Sequence, residues 1–125
     1  MSADVLTLHC PSTPQTRLLM NRDTFAKLKP GAIFINVSRG DLADPDALTA
    51  ALQSGHLGGA ALDVFDPEPI PADHPIRALP NVILAPHIAS CSMTAVTKLR
   101  ESVANLALAA VRGEALPTIV NGVIR

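Results

Sequence analysis

The stretch Ala32-Ile33-Phe34-Ile35-Asn36-Val37-Ser38-Arg39-Gly40 decides the fold. Ile33, Phe34, Ile35 and Val37 form a nearly unbroken apolar run, the pattern of a parallel strand over Ala32–Val37 covered on both faces. Lys29-Pro30-Gly31 punctuates its start and Gly40 its end. In open α/β sheets, ligands bind outside the carboxyl ends of the strands. Arg39 therefore falls on a ligand-binding rim, where its planar fork suits a carboxylate.

Working back from this strand, Val5–Leu8 reads as a short buried strand leading into His9-Cys10-Pro11. Asn21 is placed to cap a helix over Arg22–Leu28, with Met20 and Phe25 at the two positions of a hydrophobic staple. Pro30 stops that helix. Working forward, Asp44-Pro45 opens a second helix whose buried stripe is Leu48, Ala51 and Leu52, and Gly55 ends it. Gly59–Val64 reads as a third buried strand, its small residues allowing a helix to pack closely on the sheet. Residues 66–80 form a proline-rich loop with a short turn near Pro75–Leu79, and Val82–Leu84 is a fourth strand. Val96, Leu99, Val103, Leu106 and Ala110 recur at helical spacing across Thr94–Arg112, giving an amphipathic helix closed by Gly113. Alternating strands and helices predict a parallel α/β sheet, half of a doubly wound domain. The division expected is 1–113 for this domain and 114–125 for an extended tail.

The 125 residues suffice for one domain, and 48% are hydrophobic, enough for a real core. The longest apolar runs are only strand-length, which excludes a membrane-spanning helix. A net charge of −1 and 2% aromatic residues argue against nucleic acid, which calls for basic patches and stacking platforms. Cys10 and Cys91 make no disulfide framework, and Met1–Asp4 has the features of no secretory signal, so a cytoplasmic location is expected.

Four strands bring four groups to one rim: His9-Cys10, Ser38-Arg39, Asp63 with Glu68 just beyond it, and His87. A carboxylate beside an imidazole favours the charged imidazolium. That is a general acid able to protonate an oxygen as it becomes an alkoxide, while arginine holds a substrate carboxylate. Ser38 lies in Val-Ser-Arg-Gly and not in a G-x-S-x-G elbow, which argues against acyl transfer. His87 and Cys91 are four apart and His9-Cys10 adjacent, neither a usual zinc spacing, so no metal is expected. His56 and His74 read as surface residues.

Asn36-Val37-Ser38-Arg39-Gly40, Leu62-Asp63-Val64-Phe65-Asp66-Pro67-Glu68-Pro69 and Pro86-His87-Ile88-Ala89-Ser90 resemble three successive signatures of the D-isomer-specific 2-hydroxyacid dehydrogenases. Leu8–Pro11, Leu28–Ala32 and Ser54–Leu57 fit the same family in the same order. The resemblance implies a Rossmann-type fold and hydride transfer between NAD or NADP and a small 2-oxo or D-2-hydroxy acid. Arg39, Glu68 and His87 would be catalytic. Cys10, Val37, Ser38, Arg39, Asp63, His87, Ile88, Ala89 and Ser90 would line the cofactor, with Asp63 facing the nicotinamide carboxamide. It also implies a homodimer of the full-length enzyme.

The family's G-x-G-x-x-G turn is not formed by any of the seven glycines here, so the chain is expected to correspond to the carboxyl-terminal part of such an enzyme. The alternative in another class is a non-catalytic dinucleotide-binding or interaction protein, corepressor-like or an inert remnant.

Overall fold

In the computed structural model the described residues are 2–117 and 119. The elements run β1 (Val5–Leu8), α1 (Arg22–Ala26), β2 (Ala32–Asn36), α2 (Pro45–Gln53), β3 (Leu57–Leu62), β4 (Val82–Leu84) and α3 (Met93–Val111). Short 3₁₀ turns occupy Gly40–Leu42 and Pro75–Ala78. The sheet is wholly parallel in the order β1-β2-β3-β4, so the α/β alternation predicted from sequence is the one observed. The chain divides into two compact units, Met1–Ala89 and Ser90–Arg125. Of the tail expected over 114–125, residues 118 and 120–125 lie outside the described residues.

Within the first unit, local chemistry sets each element. The Asn21 side chain accepts from the Asp23 and Thr24 amides, and the Thr24 hydroxyl accepts from the Asn21 amide, closing a reciprocal cap on α1. Helix α1 ends at Ala26, short of the expected Leu28, because Lys27 and Leu28 turn tightly and Leu28 enters the core. Asp44 caps α2 through the Asp46 and Ala47 amides, with Pro45 in the first turn. Gly55 takes φ +75°, the left-handed helix end that only glycine adopts cheaply.

Paired residues of parallel strands share a face. One face carries Leu8, Phe34, Asn36, Ala60 and Leu62, all buried, and Phe34 meets Phe25 of α1 edge-on with ring centroids 5.2 Å apart. The opposite face carries Ile33, Ile35 and Ile83, and Ile83 is 71% exposed. The expectation that β2 is covered on both faces is therefore corrected. Within this unit its apolar run has one packed face, so burial alternates.

Strand β2 also ends at Asn36, one residue early. Asn36 Oδ1 accepts the Ser38 amide (3.1 Å) and its Nδ2 donates to the Arg39 carbonyl (2.8 Å), which turns the chain. Strand β3 begins at Leu57, two residues before the expected start, pairing Leu57 with Ala32. Helix α2 packs on this strand, whose Ala60 lies in the core with Leu48 and Leu52, while its two glycines answer to backbone neighbours. A Cβ at Gly58 would stand 2.5 Å from the Gly31 carbonyl oxygen, and one at Gly59 would stand 2.9 Å from that of Asn81. Close backbone neighbours demand glycine at these two positions.

In the second unit, α3 begins one residue before the expected Thr94, capped by the Ser92 hydroxyl. None of its residues is buried, and Leu99 of the predicted stripe is 67% exposed.

Candidate active site

The rim is built at the carboxyl ends of the strands. After β2, Asn36, which is 1% exposed, ties residues 37–39 into one turn, and Ser38 Oγ donates to the Cys10 carbonyl across the sheet (2.5 Å). Gly40 seals the turn from the other side. A Cβ there would lie 1.9 Å from the Phe65 carbonyl oxygen, so only glycine lets these two backbones touch. Arg39 is thus exposed at the rim. Its guanidinium donates to the Ser38 carbonyl (2.7 Å) and has no carboxylate partner among the described residues.

After β3, Asp63 is buried, and Glu68 lies on the following loop, which contains two cis prolyl bonds. Glu68 Oε2 accepts the Phe65 amide (3.2 Å) and Oε1 accepts Nδ1–H of His87 (2.7 Å). These two bonds, the imidazole first and the amide second, hold the Glu68 carboxyl below the usual carboxylate range. An ionised carboxylate can only accept, so Nδ1 carries the proton and Nε2 is the atom left for chemistry. Among the described residues Nε2 has no partner.

After β4, His87 sits at φ +56°, a left-handed conformation uncommon for a residue with a side chain. Asp63 receives the next two amides, Ile88 on Oδ1 and Ala89 on Oδ2, each at 2.7 Å.

Arg39, Glu68 and His87 line one open cleft of about 240 Å³ together with Arg17, Asp41 and Asp66. Sequence reading brought out the first three residues and passed over the others. Arg17 reaches Asp41 and Asp66, both at 3.5 Å, and loop 11–20 is tied to residues 41–44 by bonds such as Leu18 N–H to Asp41 C=O (2.8 Å). Nothing in a polar loop signalled that. Asn36 did leave a signal, as the one polar residue in the apolar run that opens the chain's second strand.

Of the remaining expected cofactor residues, Val37 and Ile88 are exposed apolar side chains at the rim, Cys10 is half-buried, and Ser90 opens the second unit. His56 and His74 are not plain surface residues. Each is half-buried, His56 bonded to the Phe25 carbonyl (3.0 Å) and His74 accepting the Ile76 amide (3.3 Å).

A wholly parallel four-stranded α/β sheet that gathers an arginine and a carboxylate-paired histidine at its carboxyl rim has the architecture of half a nucleotide-binding fold, with the cleft where such folds bind ligands. Residues 1–89 match the model of the D-isomer specific 2-hydroxyacid dehydrogenase NAD binding domain, and the chain belongs to that family. It is 42% identical over 119 residues to the glyoxylate reductase of Thermofilum pendens, covering 95% of this chain and 35% of that protein. The crystal structure of the TT0316 protein from Thermus thermophilus superposes with a TM-score of 0.90 at 47% identity, over 94% of this chain and 38% of that one. A D-isomer specific 2-hydroxyacid dehydrogenase from Xanthobacter autotrophicus Py2, solved in complex with NADPH and MES, gives 0.82 at 39% identity, covering 95% and 48%. The chain spans about a third of the length of the curated relatives it matches.

Proposed function

We propose that this chain forms the cofactor-side and acid/base part of an NAD- or NADP-dependent D-2-hydroxyacid dehydrogenase, acting on a small 2-oxo acid. The observation that carries the reading is the convergence of Arg39, Glu68 and His87 on one cleft, with His87 hydrogen-bonded to Glu68 at 2.7 Å.

The rim suits a nicotinamide. Val37 and Ile88 offer exposed apolar surface to a flat ring, and the family resemblance sets Asp63 on the side of its carboxamide. Cys10, Val37, Ser38, Asp63, Ile88 and Ala89 would hold it, and when bound it supplies the hydride. Arg39 grips the substrate carboxylate through its fork and turns the neighbouring carbonyl toward the cleft. His87 gives the Nε2 proton to the carbonyl oxygen as it gains negative charge, and in the reverse direction takes it back. Glu68 fixes the tautomer by accepting at Nδ1 and holds the ring so that Nε2 faces the cleft chemistry.

Residues 1–113 are assigned to the cofactor-binding part and 114–125 to a tail returning toward a substrate domain. The free thiols Cys10 and Cys91 fit a cytoplasmic enzyme, and the family resemblance implies a homodimer of the longer protein.

The test is a chimera in which this chain replaces the aligned segment of the T. pendens glyoxylate reductase. The folded chimera is expected to oxidise NADH or NADPH in the presence of glyoxylate. A folded chimera that turns over neither cofactor would refute the reading.

A further inference from the structure

We infer that Asp63 is a positioning residue, whose carboxylate clamps the backbone just after His87 and thereby holds the imidazole against Glu68. Its two oxygens accept the Ile88 and Ala89 amides, one each at 2.7 Å, and the residue is only 4% exposed. On the near side, the Ala85 amide donates to the Leu62 carbonyl (2.8 Å). Only Pro86 and His87 lie between that bond and the clamp, so consecutive residues of one segment, Leu62 and Asp63, grip the turn at both ends. The turn needs the grip, because His87 is held at φ +56°, from which a side-chain-bearing residue tends to relax. Released, residue 87 would return to negative φ and carry its ring away from Glu68.

An asparagine at position 63 keeps the shape but has one acceptor oxygen for two amides. The role of His87 rests on the function proposed above, whereas the clamp stands without it and is tested without catalysis.

The readout is the titration of the Glu68 carboxyl carbon by NMR in this 125-residue chain, parent against Asp63→Asn. Arg17, Arg39, Asp41, Asp66 and His87 share the cleft with Glu68, Arg77 lines the hollow on its other side, and Asp63 also acts on it. Two roles for Asp63 give opposite signs. As a charge alone it repels the Glu68 carboxylate, so removing it would lower the Glu68 midpoint. As a clamp it secures the His87 hydrogen bond, the largest cause of the depressed Glu68 value, so removing it raises the midpoint. A rise is the expected result, and a fall or no change would overturn the clamp. Should Asp63→Asn not fold, the parent decides. The Ile88 and Ala89 amide protons are expected to follow the titration of the Asp63 carboxyl carbon, and shifts that follow another group, or none, would overturn the proposal.

Discussion

Gly40→Ala should damage both stability and the cleft, because the added methyl has nowhere to go. The built Cβ lies 1.9 Å from the Phe65 carbonyl oxygen and 2.0 Å from its carbonyl carbon, against ordinary contact of about 3.5 Å. The two backbones must part by roughly 1.5 Å, and neither is a flexible side-chain end. Overpacking of a tight site costs about 1–3 kcal/mol, and a backbone-on-backbone clash belongs at the upper end. For a chain of this size, about 3 kcal/mol corresponds to a fall in Tm of roughly 12 °C. Gly31→Ala is the matched control. Gly31, unlike Gly40, has positive φ (+83°), but a methyl there meets nothing within 4 Å, leaving only conformational strain of about 1–2 kcal/mol. Thermal melts of the two variants followed by circular dichroism separate the effects. A Gly40→Ala melt within 2–3 °C of the parent, taken as roughly 1 kcal/mol or less, would refute the steric reasoning.

Other outcomes follow from the same geometry. Arg39→Lys in the chimera keeps the charge and loses the fork, so kcat/KM for glyoxylate should fall at least about tenfold, or about 1.4 kcal/mol, with the Kd for NADH unchanged. Asn36→Asp replaces the amide that donates to the Arg39 carbonyl with a buried carboxylate, and urea melts should show a loss of about 1–3 kcal/mol. The folded Glu68 carboxyl titrates below its unfolded value, so its contribution to stability is present above the unfolded value and lost as pH falls through the folded one. The Tm difference between parent and Glu68→Gln should therefore be largest near neutral pH and shrink in acid.

Much of this architecture was legible because it follows from local pattern. Apolar runs bounded by Pro and Gly gave the strands, and Asn21 and Asp44 announced their helices through capping chemistry. The errors came where tertiary context overrides pattern. Strand β2 looks covered on both faces from its side chains alone, yet Ile33 and Ile35 remain partly open within the first unit. Gly58 and Gly59 are small because the Gly31 and Asn81 carbonyls crowd them, which no single-sequence rule reveals. At the site, residue types at strand ends pointed to Arg39, Glu68 and His87. The groups that hold them, Asn36 and Gly40, act through backbone contacts with partners distant in sequence or through a turn of fixed shape. The ties of Arg17 to Asp41 and Asp66 span 24 and 49 residues and left no trace in its own loop.

The most direct test of the central claim, that His87 is the proton donor of this cleft, is His87→Ala in the chimera, with steady-state glyoxylate reduction measured beside NADH binding by fluorescence. Loss of the general acid should lower kcat at least about 100-fold while the Kd for NADH stays within roughly twofold. A variant that keeps kcat within about threefold of the parent would contradict the assignment.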